Sequence, residues 1–246
     1  CSVSRGLGDV YKRQMKCLII VPAYNEEKNI YKVVKDIKYF NPNVDIVVVN
    51  DGSTDDTYFE AKRAGAKVID LKYNLGIGGA VQTGYIYALN KDYDLAVQID
   101  GDGQHDPRDL EKLIENMKNY KCDMIIGSRF IEKTDYKPSI FRNAGIKYFS
   151  KLVSLLCGRA YYDTTSGYRM VGKKGIRLFA EYYPVDYPEV ETIVYACKHG
   201  LQVKEVGVNM QARCQGKSSI TPFKSVYYMI KVTISTLSAA LSKISF

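Results

Sequence analysis

Residues 95–107, LAVQIDGDGQHDP, put an apolar run directly before two carboxylates, Asp100 and Asp102, with a single glycine between them. A short apolar run that gives way abruptly to Asp and Gly reads as a buried strand ending in a polar loop. Carboxylates in a D-x-D spacing at such an end can share one hard divalent cation. Mg²⁺ and Mn²⁺ favour oxygen ligands, and Mg²⁺ usually takes only one or two carboxylates together with the oxygens of a bound phosphate. Gln104 and His105 are close enough in sequence to add a ligand or an outer hydrogen bond. Asp and Gly also make ordinary surface turns, so the meaning of the stretch depends on its surroundings.

Outward from it, the same grammar repeats. Residues 16–27 read KCLIIVPAYNEE, an apolar strand followed by a loop with Tyr24 and Asn25 and a helix start near Glu26. Residues 45–57, DIVVVNDGSTDDT, give a second buried strand ending at Asn50-Asp51-Gly52-Ser53 and a helix start near Asp55. Strands are expected near 17–22, 44–49, 67–70, 94–99 and 123–127, and helices near 27–40, 55–64, 77–90 and 107–119. This alternation predicts an α/β fold with a mostly parallel, doubly wound sheet. Ligands of open α/β sheets bind at the carboxyl edge of the strands, where these polar groups stand. Asn, Asp, Ser and Thr at the same places also cap helices, which accounts for Ser53 or Thr54. Residues 74–84, NLGIGGAVQTG, form a glycine-rich turn opening a helix, either a phosphate-facing turn or a purely structural one. Beyond residue 128 come an amphipathic helix at about 142–157, with Ile146, Phe149, Leu152, Val153 and Leu156 on one face, and a strand near 164–171. Helices near 174–181 and 189–199 and a strand near 203–208 complete the body.

The chain has 246 residues, 46% of them hydrophobic, which suits one large α/β domain with a sizeable core. Residues 1–14 lack the apolar centre of a signal peptide and any periodicity, and are expected to be a non-native or disordered leader before a natural start at Met15. The domain is expected over 15–221, with a C-terminal helix over 222–246. Six cysteines without a C-x-x-C pair argue against a zinc site and a disulfide framework, and for a reducing compartment. The net charge is +8, of which residues 198–246 contribute +6 through seven Lys or Arg against the single acid Glu205. A basic end on a nearly neutral body argues against nucleic-acid binding by the whole domain and for a membrane-surface partner. The tail from Phe223 joins that charge to Tyr227, Tyr228, Met229, Ile230, Val232, Ile234 and Leu237. Interrupted by Lys231, it is too short to span a bilayer. It reads as an interfacial amphipathic helix or as an ordinary helix packed on the domain.

The ordered series VPAYNEE, VNDGSTDDT, LGIGGAVQTGY, QIDGDGQHDP, GSR and DTTSGYR resembles a family 2 glycosyltransferase with the nucleotide-sugar-binding GT-A fold. It is most similar to the dolichyl-phosphate mannosyltransferase-like branch, which includes bacterial polyprenyl-phosphate sugar transferases, and the resemblance covers about residues 15–231. It implies a UDP- or GDP-linked sugar donor and Mg²⁺ or Mn²⁺. Donor-binding positions would be Pro22, Tyr24 against the base, Glu26 toward the ribose, Asp51 at the base edge, and Asp100, Gly101 and Asp102. Asp100, Asp102 and Gln104 would hold the metal. Arg129 would meet a phosphate, Arg213 and Lys217 would close a basic loop on the diphosphate (or form a solvated charged loop), and Ser166 and Arg169 would lie on the acceptor side. The catalytic set is thus Asp102, Arg129 and Asp163.

One departure separates the acceptors. The chain has no tryptophan, so the Q-x-x-R-W signature of polysaccharide-forming members is absent. A hydroxyl nucleophile needs a base within reach, whereas a phosphate nucleophile is already anionic near neutral pH. The expected reaction is therefore inverting transfer to a polyprenyl phosphate, at the cytoplasmic face of a membrane or beside a small membrane partner. A glycan or glycolipid hydroxyl is the alternative, with Asp163, Glu189 or Glu191 as candidate base.

Overall fold

A computed structural model describes residues 15–132, 140–210 and 222–241, without the side chains of 140, 141 and 222–226. Arg213 and Lys217, the leader 1–14 and the last five residues lie outside the described residues. The chain order is β1 Cys17–Ala23, α1 Ile30–Phe40, β2 Asp45–Asp51, α2 Thr57–Arg63, β3 Lys67–Leu71, α3 Gly76–Asn90 and β4 Leu95–Gln98. A 3-10 turn Pro107–Asp109 then leads into α4 Leu110–Tyr120, followed by β5 Met124–Ser128, α5 Ile140–Cys157 and β6 Arg169–Gly172. Last come α6 Lys173–Glu181, α7 Pro188–Lys198, β7 Val203–Gly207 and α8 Pro222–Leu241.

The seven strands form one sheet in the order β3-β2-β1-β4-β6-β5-β7. Only β6 runs antiparallel to its neighbours; the other adjacent pairs are parallel. The sheet winds one way from β1 to β3 and the other way from β4, so the switch point falls between β1 and β4, where such sheets open a ligand crevice. β1 is buried at all seven positions, as expected of a central strand covered on both faces. Leu18 and Ile20 face one core with Val47, Val49, Tyr85 and Phe179. Ile19 and Val21 face the other with Ile30, Val34, Ile37 and Leu113. Helix α1 serves the second core with Ile30, Val33, Val34 and Ile37, the stripe expected of a helix of period 3.6.

Two boundaries differ from the sequence reading for local reasons. Helix α1 begins at Ile30, because residues 26–29 form a turn closed by Asn29 N donating to Glu26 O at 2.9 Å. Strand β6 begins only at Arg169, because Ser166 Oγ accepts from Tyr168 N at 3.2 Å and spends the preceding residues in a turn. Helix α8 packs through Val232, Thr236 and Ala239, all buried, and Lys231 Nζ reaches Asp186 at 2.6 Å. Its other face leaves Tyr227, Ile230, Ile234, Leu237 and Leu241 exposed. Among the described residues no helix is long and apolar enough to cross a membrane.

Candidate active site

The carboxyl ends of β1, β2 and β4 meet at the switch point, and short cross-braces fix their loops. Asn25, at a positive φ of 53°, donates its N–H to Ser53 Oγ at 3.0 Å, and its side-chain oxygen accepts from Thr54 N at 2.9 Å. Glu26 N donates to Thr57 Oγ1 at 2.8 Å, and Glu27 N to Asp55 Oδ2 at 3.1 Å. These bonds hold the Tyr24 loop over the end of β2 and leave the Tyr24 ring half exposed. Asp51 is buried, and its Oδ1 accepts from Leu75 N at 2.7 Å. That bond ties the end of β2 to the glycine-rich turn.

The turn itself is explained by packing. A Cβ on Gly78 would come within 1.9 Å of Pro184 O, and one on Gly84 within 2.3 Å of Ile20 Cγ2. Two glycines of the run therefore let α3 lie directly on β1 and on the 184–185 loop. Gly76, at φ +80°, opens the helix.

The acidic loop is held from beneath. Gln98 is buried, and its amide donates to Asp100 Oδ1 at 3.0 Å. His105 Nδ1 accepts from Asp100 N at 3.0 Å, which fixes the neutral Nε2–H tautomer and turns Nε2 toward Asp100 Oδ2, 3.7 Å away. The buried His105 ring stacks on Tyr168 at 5.0 Å between centroids, and the Tyr168 hydroxyl donates to Asp106 O at 3.2 Å. Gly167 lies against the same carboxylate, since a Cβ there would stand 2.8 Å from Asp100 Oδ2. Asp102 Oδ1 accepts from Gln104 N at 3.0 Å. Asp100, Asp102 and Gln104 are all partly exposed. Among the described residues no cluster of three or more His, Cys, Asp or Glu side chains is placed to hold a metal ion. Two carboxylates with a side-chain amide beside them nevertheless fit an oxygen-loving cation whose remaining ligands come from a diphosphate and water.

Arg129, Asp163, Ser166 and Arg169 are all buried and hydrogen-bonded within the protein. Arg129 and Asp163 are paired with each other. Arg129 donates to the Asp163 carboxylate from its backbone N at 2.9 Å, from Nε at 2.7 Å and from a terminal nitrogen at 2.6 Å, and both side chains are buried. Both oxygens of the Asp163 carboxylate are thus engaged by Arg129. Ser166 is buried with its hydroxyl on Tyr168 N. Arg169 is buried and spends its donors on Ser166 O, Thr164 O, Glu189 O and Thr192 Oγ1, bracing β6 against the start of α7.

Sequence reasoning gave no role to Glu205. Its carboxylate accepts from Tyr162 N at 2.8 Å and Asp163 N at 2.7 Å, latching the segment that carries Asp163 onto β7. Burial raises its pKa, with the Asp163 charge adding to the effect. Its being the lone acid of a basic stretch was the available signal. Gln98 was equally overlooked, though a polar residue closing an otherwise apolar strand marks a side chain with a partner. Glu189 faces this region too: burial raises its pKa, Asp100 adds to the rise, and Arg169 and Arg129 oppose it.

The acidic loop stands at the carboxyl edge of a mostly parallel sheet, at its switch point, where ligands of such folds bind. The model of glycosyl transferase family 2 matches residues 18–176, more than half of the chain, and the chain belongs to that family. It is a glycosyltransferase. It is 31% identical over 237 residues to a UDP-N-acetylglucosamine–dolichyl-phosphate N-acetylglucosaminyltransferase of Methanococcus voltae, covering 86% of this chain and 94% of the relative. It is 27% identical over 233 residues to a polyprenol monophosphomannose synthase of Mycolicibacterium smegmatis, covering 88% and 85%. Among solved structures, glucosyl-3-phosphoglycerate synthase from Mycobacterium tuberculosis, in complex with Mn²⁺, UDP and phosphoglyceric acid, shares the fold. Its TM-score is 0.72 at 18% identity, with 94% of this chain and 80% of that one covered.

Proposed function

We propose that the protein transfers a sugar from a nucleoside-diphosphate sugar to a polyprenyl phosphate, with inversion at the anomeric carbon. The observation that carries the choice of acceptor is the burial of Asp163 against Arg129, an arrangement that suits an ion pair better than a base for a hydroxyl acceptor. A phosphate monoester arrives ionised and needs none. The names of the two relatives support the same acceptor class.

In this reading Tyr24 packs on the base, Glu26 reaches the ribose and Asp51 uses its second oxygen at the base edge. Asp100, aimed by Gln98 and His105, and Asp102 hold Mg²⁺ or Mn²⁺ with Gln104. Once bound, the cation supplies positive charge to the leaving nucleoside diphosphate. Arg213 and Lys217 would grip the same diphosphate, since a guanidinium matches two phosphate oxygens at once. The exposed apolar stripe of α8 and the basic end of the chain support attachment to a membrane surface.

A second reading, transfer to a hydroxyl, rests on Glu189, whose carboxyl stands near Asp100 with a raised pKa. Nucleoside diphosphate release from UDP- and GDP-sugars, with Mg²⁺ or Mn²⁺ and with or without a short polyprenyl phosphate, separates the two. Release that requires the lipid phosphate, disappears in Asp102→Asn and survives Glu189→Gln supports the proposal. Release driven by a hydroxyl acceptor and lost in Glu189→Gln overturns it.

A further inference from the structure

The hydrogen-bond path that aims Asp100 does not stop at Gln98. Tyr183, between α6 and α7, is buried, and its hydroxyl donates to Gln98 Oε1 at 3.4 Å, across 85 residues of sequence. That bond is long for two oxygens, but it is the one the hydroxyl makes among the described residues. It leaves the Gln98 nitrogen facing Asp100 Oδ1, to which it donates at 3.0 Å. The reversed amide would put its oxygen against the carboxylate, acceptor against acceptor. Gly167 closes another side, since a Cβ there would stand 2.8 Å from Asp100 Oδ2 and 3.3 Å from Gln98 Nε2. The phenol itself has little freedom. Its ring meets Phe179 edge-on at 5.3 Å and Tyr85 at 5.5 Å between centroids. The chain just after it is pinned to the start of α3, where Val185 O accepts from Gly78 N at 3.1 Å. Tyr85 carries a hydroxyl in the same cluster, buried and without a hydrogen-bond partner among the described residues. Of the two tyrosines, Tyr183 alone reaches a side chain that touches Asp100.

We propose that Tyr183 is a positioning residue of the donor site, acting through Gln98 to hold Asp100 in the orientation that a divalent cation needs. The proposal rests on the reading of Asp100 as a cation ligand. With the hydroxyl gone, Gln98 Oε1 is left buried without a donor, and the amide shifts to find one. Asp100 then spends part of its time turned away from the cation, and the apparent affinity falls with the fraction of correctly aimed carboxylate. Excess cation restores the orientation. The effect therefore lies in metal affinity rather than in the speed of the chemistry.

The test titrates Mn²⁺ into the full chain and follows the free ion by electron paramagnetic resonance. Tyr183→Phe should weaken Mn²⁺ binding by about 3- to 10-fold, the worth of one hydrogen bond. In turnover the half-saturating Mn²⁺ concentration should rise by the same factor, while kcat at saturating Mn²⁺ stays at the parent level. Tyr85→Phe removes a hydroxyl from the same cluster and should leave both quantities unchanged. Parent affinity in Tyr183→Phe overturns the proposal, as does an equal loss in Tyr85→Phe, which would mark a general softening of the core. Asp100→Asn tells two failures apart. If it too binds Mn²⁺ like the parent, Asp100 is no ligand and the donor-site reading falls with the proposal. If it loses Mn²⁺ while Tyr183→Phe keeps it, the proposal alone falls. Replacing both partners of a buried hydrogen bond by apolar groups is gentler than removing one. Gln98→Leu with and without Tyr183→Phe therefore decides the matter even if Tyr183→Phe alone fails to fold: equal Mn²⁺ affinity in the two supports the path through Gln98, and a further loss in the double variant overturns it.

Discussion

Asp163 illustrates how burial changes what a carboxylate can do. In sequence it is an acid near an acceptor motif; in the fold it is the counter-ion of Arg129, 34 residues away, and nothing along the chain announces that pairing. Removing one partner of a buried pair leaves the other uncompensated, at a cost of about 3–5 kcal/mol. Asp163→Asn should therefore lower the melting temperature sharply, with activity lost in step with folding. A variant that melts like the parent but fails to turn over would mark Asp163 as part of the catalytic set. Gln98 poses the opposite case, since it touches Asp100 but no expected ligand. Gln98→Leu should reduce metal affinity or turnover by about 10- to 100-fold, as loss of an orienting partner does. Isothermal titration with Mn²⁺ checks it, and an unchanged affinity would remove Gln98 from the site. The D-x-D pair, by contrast, was plain in the sequence, because a polar loop behind an apolar strand is a local pattern.

Elements were legible in proportion to how much of their reason is local. β1, β2, β4 and β5 are apolar runs because both of their faces are covered, and each was placed within two residues of its observed ends. β6 was extended too far toward its start, because the turn held by Ser166 depends on where Tyr168 must go. The glycine-rich segment was read as either phosphate-facing or structural. Packing accounts for Gly78 and Gly84, whose Cβ atoms would strike a backbone carbonyl and the side chain of Ile20. Gly84→Ala should push α3 away from β1 and cost about 1–3 kcal/mol, the usual penalty for overfilling a packed core. Chemical denaturation measures this, and an unchanged midpoint would mean that α3 can shift freely.

At the scale of the whole molecule, three buried or half-buried acids set the response to pH. Glu189, Glu205 and Asp109 all have pKa values raised in the fold, chiefly by burial. A carboxyl of this kind favours the folded state while it is protonated, so its contribution is complete below its ordinary value and is lost as pH rises through the raised one. Glu189→Gln keeps a neutral side chain throughout. Its melting temperature relative to the parent should therefore climb as pH rises above the ordinary carboxylate range; a flat difference would mean that Glu189 ionises in the fold as it does in water. Charge distribution makes a second prediction. Binding to anionic vesicles should weaken as salt rises, because headgroup attraction is screened, and it should weaken further when Ile230 and Ile234 become Ser. Vesicle sedimentation that is indifferent to both changes would exclude α8 as the contact. The strand order also bears on how the chain is made. β1, β2 and β3 can pair as they leave the ribosome, but the second edge of β1 waits for β4. β5 emerges with neither edge paired, because both of its neighbours, β6 and β7, are translated after it. For some forty residues of synthesis, from Ser128 to Arg169, β5 has no sheet neighbour to pair with. Unpaired apolar strands of this kind are what chaperones shield, so the C-terminal half of this chain is where a nascent-chain holdase would be expected to bind.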